Sequence, residues 1–251
     1  PDSGDNGELY DVVIIGSGSA GFAATLASAE LDLRYTTIEA DAFANTFVTM
    51  MKGKWLFAEP LDVENRSGAW FEECSKEDLL ETWRATVQRE QLDIRLQEKV
   101  TNIKGEIGAF EVITDVDSYP TRRVVLAMGK SGNPRKLGIP GEKEYADRIL
   151  HRLLNADDFH DEHITIVGAG DVACEAAIAL AADPTNSVTL SAIDREFTYP
   201  KKRNVDAVHA LQEEGELRVV LDSQGRQVKE DAVEIAVSGG TTEELKCDTL
   251  F

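Results

Sequence analysis

The feature that most constrains this chain is a glycine turn that it uses twice. Residues 10–29 read "YDVVIIGSGSAGFAATLASA", and residues 163–180 read "HITIVGAGDVACEAAIAL". Each begins as a short apolar strand, passes through Gly-x-Gly and continues as a helix of small residues. The first glycine permits the tight turn. The second lets a ligand approach the backbone, and a small third residue lets helix and strand pack closely. The helix then directs free N–H groups and the positive end of its dipole at the turn, which suits a phosphate. The first copy places Gly16, Gly18 and Gly21 in these roles, with Ser19 and Ala20 opening the helix. The second places Gly168, Gly170 and Ala173 there, with Asp171 and Val172 opening the helix. Alanine at the third position still allows close packing.

Each turn sits inside a β-α-β pattern. After the first helix, "LRYTTIEA" reads as a strand ending at Glu39, about 20 residues beyond the turn, where a carboxylate can accept hydrogen bonds from a ribose. After the second helix, "VTLSAIDREF" carries Asp194 one or two residues past the corresponding place, followed by Arg195. Lys201, Lys202 and Arg203 come next. Asp194 suits a bare ribose and the basic cluster a phosphorylated one, although Lys201–Arg203 reads equally well as a solvated turn. The ribose can thus be bare, as in NAD, or phosphorylated, as in NADP, with the acidic Asp194 tilting the balance modestly toward NADH.

Between the turns, "AFANTFVTMMKGKWLFAEPLDVENRSGAWFEEC" is irregular and aromatic, and Trp55, Phe57, Trp70 and Phe71 are candidates to shield a ring. "SKEDLLETWRATVQRE" is an amphipathic helix with Ser75 as N-cap, Asp78 at the capping-box position and Leu79, Leu80, Trp83 and Val87 on the core face. Strand-like runs follow through "DIRLQEKVTNIKG" and "AFEVITDVDSYPTRRVVLAMG". "KSGNPRKLGIPGE" crosses to a second domain, with the boundary near residue 143. That domain reads as a strand at 164–168, a helix at 171–182, a strand at 187–193, the helix "VDAVHALQEEG" and the strands "LRVVLD", "AVEIAVSG" and "KCDTLF". The opening "PDSGDNGE" reads as a linker. The fold class is therefore α/β, with two Rossmann-like, three-layer β/β/α dinucleotide-binding domains.

Composition narrows the function. A net charge of −20 repels nucleic acid and anionic membranes, and it suits an acidic soluble enzyme, a salt-adapted surface or a face for a basic partner. Apolar runs are strand-length, too short to span a membrane. Three scattered cysteines, Cys74, Cys174 and Cys247, fit a reducing, cytoplasmic setting without a disulfide framework. Cys174 and Cys247 read as structural, and Cys74, just before a helix, as a weak redox candidate. His160 and His163 lie in a charged loop with too few neighbours for a metal site. No catalytic triad or metal set stands out. Two dinucleotide sites suggest a relay instead, in which flavin and nicotinamide rings do the redox chemistry and the protein sets their geometry.

The chain resembles the thioredoxin-reductase type of flavoprotein with two dinucleotide-binding domains. The resemblance rests on "VVIIGSGSAG" with Glu39, on "VVLAMGKSGNPRKLGIPGE", on "ITIVGAGDVACEAAIAL" and on "CDTLF". It implies FAD on Gly16, Gly18, Ser19, Ala20, Gly21, Glu39, Val100, Ala127 and Gly129. It implies NAD(P)H on Gly168, Gly170, Asp171, Val172 and Ala173, with Asp194 and Arg195 near the ribose. It also implies a homodimer, an FAD domain over residues 1–143, an NAD(P)H domain over 144–247 and a return to the FAD domain starting at 248–251. The C-terminal part of the FAD domain is missing from this pattern. Met128 replaces the threonine of the family's Ala-Thr-Gly element. The family's Cys-x-x-Cys is absent from "HRLLNADDFHDEH", which aligns the chain with the bacillithiol-disulfide-reductase-like branch. Some members of that branch carry a cysteine in the first glycine loop, where this chain has Ser19.

The expectation is an FAD-dependent NAD(P)H oxidoreductase. Its electron acceptor would be a small disulfide, a ferredoxin-like protein or another small molecule that meets the flavin directly. A non-catalytic dinucleotide sensor and a flavin monooxygenase-like enzyme are the alternatives.

Overall fold

The computed structural model describes residues 9–58, 64–129 and 136–251. The expected linker "PDSGDNGE" and the crossing residues Lys130–Arg135 lie outside the described residues. The chain divides into two compact units, Pro1–Asn133 and Pro134–Phe251.

In the first unit, β1 (Val12–Ile15) runs into α1 (Ser19–Glu30) and β2 (Tyr35–Ile38). Short elements α2 (Asn45–Val48), β3 (Trp55–Leu56) and β4 (Cys74–Ser75) precede α3 (Lys76–Arg89) and β5 (Ile94–Arg95). An antiparallel meander follows: β6 (Val100–Glu106), β7 (Ala109–Thr114) and β8 (Ser118–Thr121). Then β9 (Val124–Leu126) returns to β1. The parallel sheet has the order β5-β2-β1-β9.

The second unit repeats that path. β10 (His163–Val167), α4 (Asp171–Ala181), β11 (Ser187–Ser191), α5 (Lys202–Glu214) and β12 (Leu217–Val220) are followed by the meander β13 (Gln224–Val228), β14 (Ala232–Ala236) and β15 (Thr242–Lys246). β16 (Thr249–Leu250) then pairs in parallel with β10, giving the order β12-β11-β10-β16. In both units the meander is inserted before the strand that closes the parallel sheet.

Two boundary expectations change. Residues 248–251 do not leave for the other domain. Leu250 is fully buried, and Phe251 N donates to Thr165 O at 2.9 Å, so this stretch closes the second sheet as β9 closes the first. The second unit also begins before residue 143, because Leu137 and Ile139 pack on the core of its meander. Val228 N donates to Pro140 O at 2.9 Å, and a Cβ on Gly141 would fall 1.9 Å from Val228 O. The strands "QGRQV" and "TEELK" are polar and carry no strand pattern of their own. They form by pairing with the two edges of the apolar β14.

Packing of the first unit centres on an aromatic cluster. Phe22 of α1 packs tilted against Trp83 of α3 at 4.8 Å between centroids and meets Phe43 edge-on at 5.2 Å. Trp83 is buried yet keeps its indole N–H satisfied by Trp70 O at 2.7 Å, as a buried indole requires. Leu79 and Leu80 complete the buried face of α3, and Val87 packs at its edge. The cap also forms as expected: Asp78 N donates to Ser75 Oγ at 3.1 Å, and Ser75 N donates to Asp78 Oδ2 at 3.3 Å. His160 and His163 tie loop ends by pairing with Asp183 and Asp248. Among the described residues no cluster of His, Cys, Asp and Glu is arranged to hold a metal, and no helix is long and apolar enough to cross a membrane.

Replacing Ser75 by Ala removes the acceptor of the Asp78 N–H in the first turn of α3. It is expected to lower unfolding free energy by about 1 kcal/mol, read as a lower midpoint in urea with an unchanged slope.

Candidate nucleotide sites

The first turn is built from backbone contacts. Gly16 has φ +99°, and a Cβ there would lie 2.5 Å from Ala127 O, so only glycine fits between β1 and the residue after β9. A Cβ on Gly21 would lie 1.8 Å from Gly16 O, so the helix sits directly on the turn. Ala127 is thereby brought to the turn, and Ala127 N donates to Ile15 O at 2.8 Å.

Gly18 is different. Its φ is −67°, which any residue adopts, and a Cβ there would meet nothing within 4 Å. Internal packing does not require glycine at this position, so its bareness keeps the mouth of α1 open. Ser19 and Ala20 face solvent on the same first turn of the helix. Gly170 repeats the case at the mouth of α4, with φ −94° and no neighbour within 4 Å. Gly168, at φ +144°, takes the strained corner, and a Cβ there would lie 3.5 Å from the Ala173 Cβ. A Gly-x-Gly backbone with free helix N–H groups and open space is what a pyrophosphate needs.

Glu39 leaves β2 beside the first turn. Its carboxylate accepts from Ser17 N at 2.8 Å, Ser17 Oγ at 3.0 Å and Asp41 N at 3.0 Å. An ionised carboxylate offers about four acceptor directions, so one remains for a ribose hydroxyl. Ser17 is fully buried and is not among the residues that the resemblance assigns to FAD. The signal for it is a hydroxyl residue between the two glycines together with a carboxylate at the strand end.

The second site departs at this pair. Gly16 N donates to Ile38 O and Glu39 N to Arg95 O; Gly168 N donates to Ser191 O and Ala192 N to Val220 O. By register Ala169 and Ala192 stand where Ser17 and Glu39 stand. Asp194 is two positions further along, half-buried, with its carbonyl accepting from Asp222 N at 2.8 Å. The exposed Arg195 points at Asp222, 3.7 Å away. Asp171 turns toward α5: its Oδ1 accepts from Lys201 N at 2.8 Å and Asn204 Nδ2 at 2.7 Å. It fastens the basic turn to the first residue of α4. Val172 is exposed at the same helix mouth.

Val100 opens β6 opposite Thr114 of β7, and its side chain packs against the cluster that includes Val13 and Tyr119. Gly129 follows Ala127 at φ +68° in open space. A cavity of about 490 Å³ opens from Ser19 and is walled by Phe47, Phe71, Trp83, Ala69 and Asn65, a size within the usual range for ligand pockets. Of the four aromatics singled out in the sequence only Phe71 lines it. Trp55 lies on a short strand and is exposed.

All three cysteines are buried. Burial pushes each thiol upward, Cys174 to about 11, and Asp78 adds to the effect at Cys74. A thiol held this way is poorly nucleophilic. The helix dipole does not rescue Cys74, which precedes α3 from a buried strand.

The glycines separate binding from folding. Gly18→Val is expected to leave the thermal midpoint within about 2 °C while weakening ADP binding at the first turn at least tenfold. Gly16→Val should cost about 3 kcal/mol of stability, from strain and backbone overlap. Differential scanning and titration calorimetry on both variants check the pair.

Comparison with known proteins bears on these turns. The family model described as pyridine nucleotide-disulphide oxidoreductase matches residues 13–251. A thioredoxin reductase of Treponema pallidum is 28% identical over 250 residues, covering 96% of this chain and 75% of that protein. A ferredoxin–NADP reductase of Pediococcus pentosaceus is 31% identical over 177 residues, covering 69% of this chain and 51% of that protein. In fold, the bacillithiol disulfide reductase Bdr of Staphylococcus aureus superposes with a TM-score of 0.85 at 20% identity, over 97% of this chain and 76% of that one. The chain thus spans between half and three quarters of the length of these relatives. With the family model spanning both glycine turns, this chain belongs to the pyridine nucleotide-disulphide oxidoreductase family.

Proposed function

We propose that this chain is an FAD-dependent NAD(P)H oxidoreductase whose first unit holds FAD and whose second holds the nicotinamide coenzyme. The carrying observation is the pair Gly18 and Gly170, bare where neither backbone angle nor packing requires it. Two phosphate-accepting turns on matching sheets suit a resident dinucleotide and an exchangeable one. When bound, a flavin supplies two-electron transfer between a nicotinamide and an acceptor. The chain's residues would bind and orient. The α1 mouth and the Gly16–Gly21 turn would receive the flavin pyrophosphate. Glu39, held by Ser17, would accept from the ribose, and the aromatic cavity beside Ser19 would exclude water. The mouth of α4 would receive the nicotinamide coenzyme, with Asp171 holding the basic turn alongside.

The relatives named for thioredoxin and bacillithiol disulfide suggest a disulfide acceptor, and the one named for ferredoxin suggests a small redox protein. The buried, poorly ionised cysteines favour an acceptor that takes electrons from the flavin itself, with no protein thiol between. Anaerobic addition of NADH or NADPH to the FAD-loaded protein is expected to bleach the yellow colour, and pretreatment with N-ethylmaleimide should leave the rate at which an added disulfide acceptor reoxidises the reduced flavin within about twofold. A colourless protein that binds nucleotide without redox turnover would make it a sensor, and a rate abolished by the thiol reagent would restore a thiol relay.

The second site lacks a carboxylate at the register of Glu39, so Asp194, two positions further along, is the carboxylate that would oppose a 2′-phosphate. Asp194→Asn is expected to raise NADPH efficiency relative to NADH about fivefold, close to 1 kcal/mol. Stopped-flow reduction with each coenzyme reads the ratio.

A further inference from the structure

The carboxylate assigned above to a ribose rests on a buried polar chain that packing alone does not explain. Glu39 is gripped through its backbone from both sides of one connection. Glu39 N donates to Arg95 O at 2.8 Å, and Glu98 N donates to Glu39 O at 3.0 Å. Arg95 and Glu98 are in turn locked by their side chains. Glu98, only 6% exposed, accepts through Oε1 from the Tyr119 hydroxyl and from Thr114 Oγ1, both at 2.7 Å. Arg95 Nη1 donates to the Tyr119 hydroxyl at 3.0 Å, and the guanidinium lies over the Tyr119 ring, 4.9 Å from its centroid. Tyr119 is fully buried, and Arg95 Nε is buried with no hydrogen-bond partner. Burial, with the bond to Glu98, pushes the phenol upward, so it remains a donor throughout the physiological range.

Such a chain is an inefficient way to gain stability. Apolar side chains of the same volume often do as well or better, because buried charges lose their water. Its distinctive property is geometry. Hydrogen bonds of fixed length from β7 and β8 set where residues 95–98 lie, and Glu39 can sit in one place only on that connection. Apolar packing tolerates small slips, whereas the hydrogen-bonded chain does not.

We propose that Arg95, Glu98, Thr114 and Tyr119 form a positioning device for Glu39, which holds the carboxylate at hydrogen-bond distance from an adenosine ribose. The inference depends on the reading of Glu39 as the ribose acceptor. None of the four touches the nucleotide in this scheme. They act through the backbone of residues 95–98.

The test uses two probes, ADP and 2′,3′-dideoxy-ADP, which differ only in the ribose hydroxyls. Titrations are made in a Gly170→Val background, which closes the second turn. With the chain intact, ADP should bind about tenfold more tightly than the dideoxy probe, as expected for hydrogen bonds to a charged group. Tyr119→Phe keeps the ring under Arg95 and removes the hydroxyl. It should reduce that ratio to about twofold with little change in dideoxy-ADP affinity. Glu98→Gln, which keeps shape and removes charge, should do the same and serves if Tyr119→Phe fails to fold. A merely structural role would lower the melting temperature, weaken both probes together and leave the ratio at tenfold. That result overturns the inference. If the background protein already fails to distinguish the two probes, the ribose role of Glu39 itself is wrong, a separate outcome.

Discussion

The contact on which the first unit depends is between two backbones. Gly16 lies so close to Ala127 O that a methyl group would overlap it, and Gly21 lies closer still to Gly16 O. Strand, helix and returning strand therefore converge on one point without an intervening side chain. That convergence aims the α1 mouth outward and brings Glu39 alongside. A helix end presented this way is a fixed partial positive charge, ready for an anion without reorganisation. Larger side chains at the corner would separate the three elements and disperse the N–H groups.

The second unit uses the same convergence with a looser fit, since a Cβ on Gly168 would lie 3.5 Å from the Ala173 methyl. The two units differ where a ribose would lie. Ser17 and Glu39 form a braced acceptor in the first, and the corresponding places in the second hold Ala169 and Ala192. A braced carboxylate suits a ligand that stays. An unbraced site suits one that arrives and leaves. The tie from Asp171 to Lys201 and Asn204 fits that contrast, because it secures the protein's own loop and spends no ligand-facing group of the turn on it.

Much of this was legible in the residues. The glycine spacing announced both turns, and α1 begins and ends where its small-residue run does, at Ser19 and Glu30. Ser75 and Asp78 announced their capping box, and Leu79, Leu80 and Trp83 their buried face. What was not legible depended on partners distant in sequence. The polar strands β13 and β15 carry no strand signal of their own and exist because β14 lies between them. The helix α5 starts at Lys202, ahead of the apolar "VDAV", because Asp171 holds Lys201 N from another helix. The role of "DTLF" as the closing strand of the second sheet needed β10 beside it.

By itself the sequence determined the two β-α-β units, their glycine turns and the absence of a dithiol before the second turn, because these follow from local spacing and from which residue types are present. Only the tertiary structure decided that Gly18 and Gly170 face open space, that Ser17 braces Glu39 while Ala192 leaves the second site without a counterpart, and that all three thiols are buried. Those facts depend on which distant backbones meet and how deeply each side chain is covered. A one-dimensional pattern fixes periodicity, whereas clearance and burial are properties of the packed chain.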